Sequence, residues 1–266
     1  MLARVKAPLF TYELPSTVDE VIQRLRDDPE ARVLAGGQSL LPLLALRLAY
    51  PTTLVDLSQI ADLEQIVEVD DGIEIGAMVT QRAAERSAIV SEHAPLLVEA
   101  LRHVAHPPIR NRGTIGGSLA HGDPAAELPA VARTLDASLY VAGPNGQRVI
   151  SAEDFWTGPF TSALEPGEIL TGVRLPATAG GWSFQEVARR HGDFAVVLCA
   201  VSLRAAEGRC SHASIVLGGI GGTPVRAAQA EAVLLNNEIG AAVAETASEK
   251  AREEISPSAD VHGSAE

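Results

Sequence analysis

Ala35-Gly36-Gly37-Gln38-Ser39-Leu40 and Thr114-Ile115-Gly116-Gly117-Ser118-Leu119-Ala120-His121-Gly122-Asp123-Pro124 are the two stretches that decide how this chain is read. Each sets adjacent glycines, then a serine and apolar residues, where a strand-like run breaks. Adjacent glycines permit positive φ and a close backbone approach that a Cβ would block. Successive N–H groups in such a turn form an anion-binding concavity. A single Gly-Gly pair is usually an ordinary turn, but two copies of one pattern point to a shared, phosphate-bearing ligand held against bare backbone. Around the first copy, residues 32–35 read as a strand, and Ser39 as the cap of a helix over 40–48 with Pro42 tolerated in its first turn. A strand–Gly-Gly–helix passage suits a pyrophosphate, because helix N-termini attract anions.

Composition narrows the rest. The chain has 266 residues, 46% hydrophobic and only 4% aromatic, enough for one large domain or two to three small ones. A net charge of −13 disfavours nucleic acid as a partner, since no basic face is available to release counterions. Two cysteines, Cys199 and Cys210, are too few for a disulfide framework or for an iron–sulfur cluster, which takes four ligands. If electrons move through clusters, another chain must carry them. No secretory leader or membrane span is read, the apolar run at 40–48 being short and broken by Pro42 and Arg47, so a cytoplasmic protein is expected.

Along the chain, Val18, Val21, Ile22 and Leu25 share one face of a helix that Ser16 or Thr17 can cap. Strands are expected at 53–57, 66–69 and 73–77, the last two joined by the Asp71-Gly72 turn. Helices are expected at 80–86, 95–104 (ending before Pro107-Pro108) and 125–135. Strands at 137–141 and 148–150 flank Gly143-Pro144-Asn145-Gly146. Small, flexible residues at 177–181 mark a domain boundary. Three strands at 182–188, 195–203 and 213–217, then helices at 225–235 and 239–255, predict a small α+β unit. His103, His106 and His121 lack the convergent carboxylate pattern of a metal site, and Gly218–Thr223 lacks the setting of a dinucleotide fingerprint. No catalytic acid, base or nucleophile is called.

The residues of the two glycine stretches resemble the flavin-binding signatures of the FAD-binding medium subunits of molybdenum hydroxylases. That family includes the xanthine dehydrogenase, carbon monoxide dehydrogenase and nicotine-pathway dehydrogenase groups. The resemblance runs from Phe10-Thr11-Tyr12 to the C-terminus. It implies an α+β protein: a two-lobed FAD-binding (PCMH-type) domain over 1–176, with lobes of about 1–57 and 58–176, then a small C-terminal domain over 177–266 with a three-stranded antiparallel sheet plus helices. Family members continue past the 260–265 stretch with a basic final helix, so the C-terminal domain is expected to be truncated.

By the same resemblance, Ala35, Gly36, Gly37, Gln38, Ser39 and Leu40 wrap the FAD pyrophosphate. Thr114, Ile115, Gly116, Gly117 and Ser118 line its opposite side. Glu127 stands where the family places a carboxylate near the cofactor, although the helix dipole favours an acid there in any case, and Asp123, just before Pro124, is read either as a cofactor ligand or as the cap of that helix. Leu170 matches an apolar residue packed on the isoalloxazine. Gln185 takes the place of a lysine in the xanthine dehydrogenases, a departure from nicotinamide-linked members. The segment 188–195 is most similar to bacterial dehydrogenases of N-heterocycles, and its Phe194 is a candidate to gate an acceptor at the ring edge. The implied role is an oxidoreductase subunit that takes electrons from [2Fe–2S] clusters in a small partner. A large partner carries molybdopterin, and the assembly is a dimer of heterotrimers. Two rivals stand beside it: a flavin-free assembly subunit of the same complex, and a free-standing oxidase with covalent flavin. Neither cysteine lies near a flavin segment, which counts against the second.

Overall fold

The computed structural model describes residues 6–257, 259 and 263–265. Of the 260–265 stretch named above, Asp260, Val261 and His262 lie outside the described residues, as does Glu266.

Three β-sheets follow one another in sequence. The first is small and parallel: β1 (Thr11–Glu13) and β2 (Arg32–Leu34) each pair with the central β3 (Thr53–Asp56). Parallel neighbours need a crossover, which α1 (Val18–Asp27) supplies between β1 and β2, and α2 (Leu40–Ala45) between β2 and β3. The expected face of α1 is the buried one, with Val21 fully enclosed. Its first turn is fixed by Thr17, whose hydroxyl accepts from the Glu20 N–H at 3.2 Å, while Glu20 accepts from the Ser16 N–H at 2.7 Å.

The second sheet is antiparallel and ordered β4-β5-β10-β6-β7, from β4 (Ile66–Val69), β5 (Gly72–Gly76), β6 (Ser138–Gly143), β7 (Gly146–Ser151) and β10 (Ile169–Pro176). A ribbon of β8 (Trp156–Gly158) and β9 (Thr161–Ser162) lies between β7 and β10 in sequence. Six helices fill the segment between β5 and β6: α3 (Gln81–Arg86), α4 (Ala88–His93), α5 (Pro95–His103), α6 (Pro107–Arg110), α7 (Ile115–His121) and α8 (Glu127–Thr134). The largest core cluster joins Ile73, Ile75 and Val173 of this sheet to Leu96, Leu101, Leu119 and Leu128 of the helices.

The third sheet is antiparallel: β11 (Gly181–Ala188), β12 (Ala195–Ala206), β13 (Arg209–Gly218) and the short β14 (Val225–Arg226), followed by α9 (Ala228–Leu234) and α10 (Ala241–Glu254). Phe184, Leu198 and Val216 belong to the same core cluster as α5 and α8, so this unit packs onto the middle of the molecule. Thr134 of α8 donates to the Ala200 carbonyl at 3.5 Å, and the Arg133 guanidinium donates to the Pro224 carbonyl.

Three expectations change. Residues 225–226 are strand, not helix: Val225 pairs with Leu217 and Arg226 with Val216, so the helix starts at Ala228. Pro107-Pro108 opens α6 instead of only ending α5, since proline is tolerated in a first turn where N–H groups lack partners anyway. The second glycine stretch is a helix, α7, capped by Thr114, rather than an open turn.

Candidate functional site

The first glycine stretch sits between the end of β2 and the start of α2. Gly37 alone of its two glycines has positive φ, at 74°. Gly36 is needed for a different reason: a Cβ on it would overlap the backbone carbonyl of Arg112. Ser39 does not cap α2 as expected. It sits in helical geometry with no capping bond from its side chain, and the Leu41 N–H instead reaches the Gly37 carbonyl at 3.0 Å. Gln38 turns its amide back to the Gly36 carbonyl at 2.9 Å. The backbone N–H groups of Gly36, Gly37, Gln38, Ser39 and Leu40 donate to no acceptor among the described residues. A row of free donors beside a serine hydroxyl matches the acceptor oxygens of a phosphate or pyrophosphate. Arg26 and Arg32 stand on the rim of the same space.

The second stretch works differently from the expectation. None of its glycines up to Gly117 has positive φ, and its N–H groups are already used. Ile115 donates to the Val79 carbonyl at 2.9 Å, Gly116 to Ala77 at 2.9 Å, and Ser118 to Thr114 at 3.2 Å. Gly117 donates to the Thr114 hydroxyl at 3.0 Å. Here the glycines serve packing: a Cβ on Gly116 would overlap Ala77, and one on Gly117 would sit 2.7 Å from the Thr114 hydroxyl and 3.3 Å from the Ala35 methyl. The two stretches therefore face each other across one cleft, where a Cβ on Gly117 would meet the Ala35 methyl.

That cleft has a volume of about 1020 Å³, at the upper end for small-molecule sites. Ala35 to Leu40, Thr114, Gly117, Ser118, Asp123 and Glu127 all line it. Four expected residues do not. Ile115 points into the core at 1% exposure, and Gly116 is pressed on Ala77, so both support the wall from behind. Leu170 is buried within β10 opposite Val141, inside the main core rather than on the cleft surface. Gln185 lies exposed on β11, away from the lining.

Apart from Phe194 and its segment 188–195, singled out above, the other lining residues carried no readable signal. Gln81, 5% exposed at the start of α3, presents a buried Oε1 without a partner among the described residues. Leu25 and Arg26 come from α1, and residues 164–168 from the loop before β10. Gly192, Asp193 and Phe194 close the cleft from the third sheet. Of the three histidines, His103 stacks on Phe184, His106 meets His191, and His121 meets Phe160, so their rings do not converge.

The cleft is electrostatically uneven. Glu127 is 7% exposed, and burial pushes its carboxyl up to about 8, with Glu186 and Asp123 adding repulsion. A carboxyl with such a value is neutral near pH 7 and can donate a hydrogen bond. Glu186 is also raised by burial and has one oxygen without a partner. Asp123 accepts from the Ala125 N–H at 2.9 Å and so shapes the turn before α8. Arg110, 6% exposed, fastens the wall: it pairs with Glu85 at 3.0 Å and donates to the Val104 carbonyl at 2.7 Å.

Comparison with known proteins accounts for this arrangement. Residues 8–178 match the family described as the FAD binding domain in molybdopterin dehydrogenase, and residues 182–266 match the CO dehydrogenase flavoprotein C-terminal domain. The chain is 41% identical to the nicotine 6-hydroxylase medium subunit of Paenarthrobacter nicotinovorans, covering 98% of this chain and 93% of that one. It is 36% identical to the carbon monoxide dehydrogenase medium chain of Hydrogenophaga pseudoflava, covering 97% and 91%. Its fold superposes on quinoline 2-oxidoreductase from Pseudomonas putida 86 with a TM-score of 0.94 at 46% identity, over 97% of this chain and 91% of that one. No helix among the described residues is long and apolar enough to cross a membrane. With a free-donor cradle, a facing glycine helix and both family domains in order, the chain belongs to the FAD-binding medium subunits of the molybdenum hydroxylases, a family of oxidoreductases.

Proposed function

We propose that this chain carries FAD as the electron-exit subunit of a three-part molybdenum hydroxylase, working in the cytoplasm as part of a dimer of heterotrimers. In this reading a small partner holds two [2Fe–2S] clusters and a large partner holds molybdopterin. The observation that carries the reading is the row of free N–H groups from Gly36 to Leu40, facing Thr114, Gly117 and Ser118 across the cleft. Bound FAD supplies the redox chemistry, taking electrons from the partner's clusters and releasing them to an external acceptor. The residues of this chain bind and orient it. The N–H row and the Ser39 hydroxyl receive the pyrophosphate, and Ser118 and Thr114 bound it from the other side. Glu127, held neutral, offers a hydrogen-bond donor at the far wall, and Asp123 sets the turn that carries it. Ile115, Gly116 and Leu170 act from behind the wall, and Gln185 makes no direct contact with the cofactor.

We draw the domain boundary at 176–177. The parallel sheet lies within lobe 1–57, β4 to β10 lie within 58–176, and the third sheet follows. The test is the visible spectrum of the purified complex and of this chain, with released FAD quantified. Flavin bands in this chain, bleached by substrate only when the partners are present, are the expected result. A chain that stays colourless with excess FAD would favour the assembly-subunit reading.

A further inference from the structure

An arginine on β7 fastens the loop that leads into β10. Residues 164–168 of that loop line the cleft, and both ends of the segment are fixed in the fold. At its start the Ala163 N–H donates to the Phe155 carbonyl at 2.7 Å, and at its end Ile169 is buried with Val21, Val55 and Leu57 of the first lobe. Arg148 reaches over from β7 to hold the stretch between them. Its Nε donates to Glu168 Oε1 at 2.8 Å, and its Nη2 donates to Glu168 Oε2 at 2.7 Å and to the Ala163 carbonyl at 2.8 Å. Glu168 uses the same carboxylate on its own loop: Oε2 accepts from the Glu165 N–H at 2.7 Å, while the Glu168 N–H donates to the Glu165 carbonyl at 2.9 Å. Gly167 takes a φ of 84°, and a Cβ on it would stand 3.1 Å from Pro144 and 3.7 Å from Cγ of Arg26. The loop thus bridges the β6–β7 hairpin and α1, one from each lobe.

Arg148 is not on the cleft surface, so whatever it does for a ligand it does through this loop. A guanidinium fork on a carboxylate makes two charge-assisted bonds at once and fixes direction as well as distance. The Glu168 side chain is 8% exposed against 40% for Arg148, so water screens the pair from one side only. The Arg148 guanidinium holds the Glu168 carboxyl below the usual carboxylate range, which keeps it ionised at neutral pH. By gripping Ala163 before the segment and Glu168 at its end, one side chain closes residues 164–168 into a ring. Opening that ring frees the wall that packs against Arg26, on the side of the cleft where Leu25 and Arg32 also stand. Resting on the FAD reading above, we infer that Arg148 is a positioning residue for the cofactor: with Glu168 it clasps the 164–168 wall of the cleft, and the opening of this clasp governs how fast FAD leaves.

The experiment uses the purified complex, first assayed for bound FAD; absence of flavin there defeats the functional reading itself and not only this inference. With flavin present, release is followed by the rise of free-flavin fluorescence after dilution. Arg148→Gln should speed release about tenfold, with association little changed. Arg148→Lys keeps the charge but not the fork, and its release rate should fall between the two. Arg148→Gln alone leaves the enclosed Glu168 carboxylate without its cation, so the double change Arg148→Gln with Glu168→Gln is the neutral control. It should release FAD as fast as the single variant and no faster, since both changes open one clasp. Hydrogen exchange on the flavin-free chain gives a readout that needs no cofactor. The Glu165 and Glu168 amides should lose protection in the double variant, while those of β6 and β10 keep theirs. Unchanged release in the double variant overturns the inference. So does faster release with the loop amides still protected, which would place the effect elsewhere. Loss of protection throughout the chain overturns it too, because Arg148 would then be a structural residue only.

Discussion

Gly36 lies so close to the backbone of Arg112 that the first glycine stretch meets the segment leading into the second, far off in sequence, through main chain alone. The contact locks the parallel sheet, which supplies the N–H row, to the helical wall that ends in Thr114. It also means that the cleft's width is set by an atom that is absent. Gly36→Ala forces the 35–40 turn and the 112–113 segment apart, an overpacking cost of about 1–3 kcal/mol. Thermal unfolding should show a lowered midpoint, and FAD content after purification should fall with it. A variant with unchanged midpoint and full flavin would show that the wall yields freely.

Gly37 fails for a different reason. Its φ of 74° is in the left-handed region, where an L side chain costs about 1–2 kcal/mol. Gly37→Val strains the turn that carries the donors, and its Cβ would press on the Leu41 and Leu34 side chains at 3.0 and 3.2 Å, contacts local to this turn. The far-ultraviolet circular dichroism should match that of the unaltered chain, and the flavin bands should be lost. Stoichiometric FAD in this variant would remove the N–H row from the binding account.

Ser39 separates binding from folding. Since its hydroxyl makes no capping bond, Ser39→Ala removes nothing that holds α2 together. The unfolding midpoint of the chain without FAD should stay within about 0.5 kcal/mol of the parent. Flavin affinity should drop by roughly ten- to a hundredfold, the loss of one hydrogen bond to a charged oxygen. Titration of FAD fluorescence measures it. Equal loss of stability and affinity would mean that the serine is structural.

The sequence made the two glycine stretches visible because glycine pairs beside serine have few other uses together, and the elements of strong periodicity, α1 and α5, were equally plain. It hid how differently the two stretches work. Nothing in Thr114-Ile115-Gly116-Gly117 distinguishes an open turn from a capped helix whose N–H groups are consumed by Ala77, Val79 and Thr114. That is decided by the β5–α3 connection, which is remote in sequence. Strand β10 escaped because Gly172 interrupts its apolar run and its partners, β5 and β6, are both distant. Gln81 and the 164–168 loop reach the cleft only through tertiary packing. Leu170 shows the opposite case, where a matched position turns out to lie one layer behind the surface.

Glu127 makes the stability of this protein depend on pH in a definite direction. Its folded value, about 8, is above that of an unfolded glutamate, near 4.5. Between those values the folded chain binds more protons than the unfolded one, so this group's contribution to stability falls as pH rises. Below about pH 4.5 burial of the neutral acid carries no such penalty. Above about pH 8 the penalty is complete, because a charge must then be held at 7% exposure beside Glu186 and Asp123. Glu127→Gln stays neutral throughout and keeps a donor toward the cleft. At pH 4.5 the two proteins should unfold within about 1 kcal/mol of each other, while at pH 9 the glutamine variant should be the more stable. The comparison cancels the general repulsion of a chain at net −13, which both share. Denaturant unfolding at the two pH values decides it: parallel curves for parent and variant would mean that Glu127 is ionised and solvated in the folded cleft.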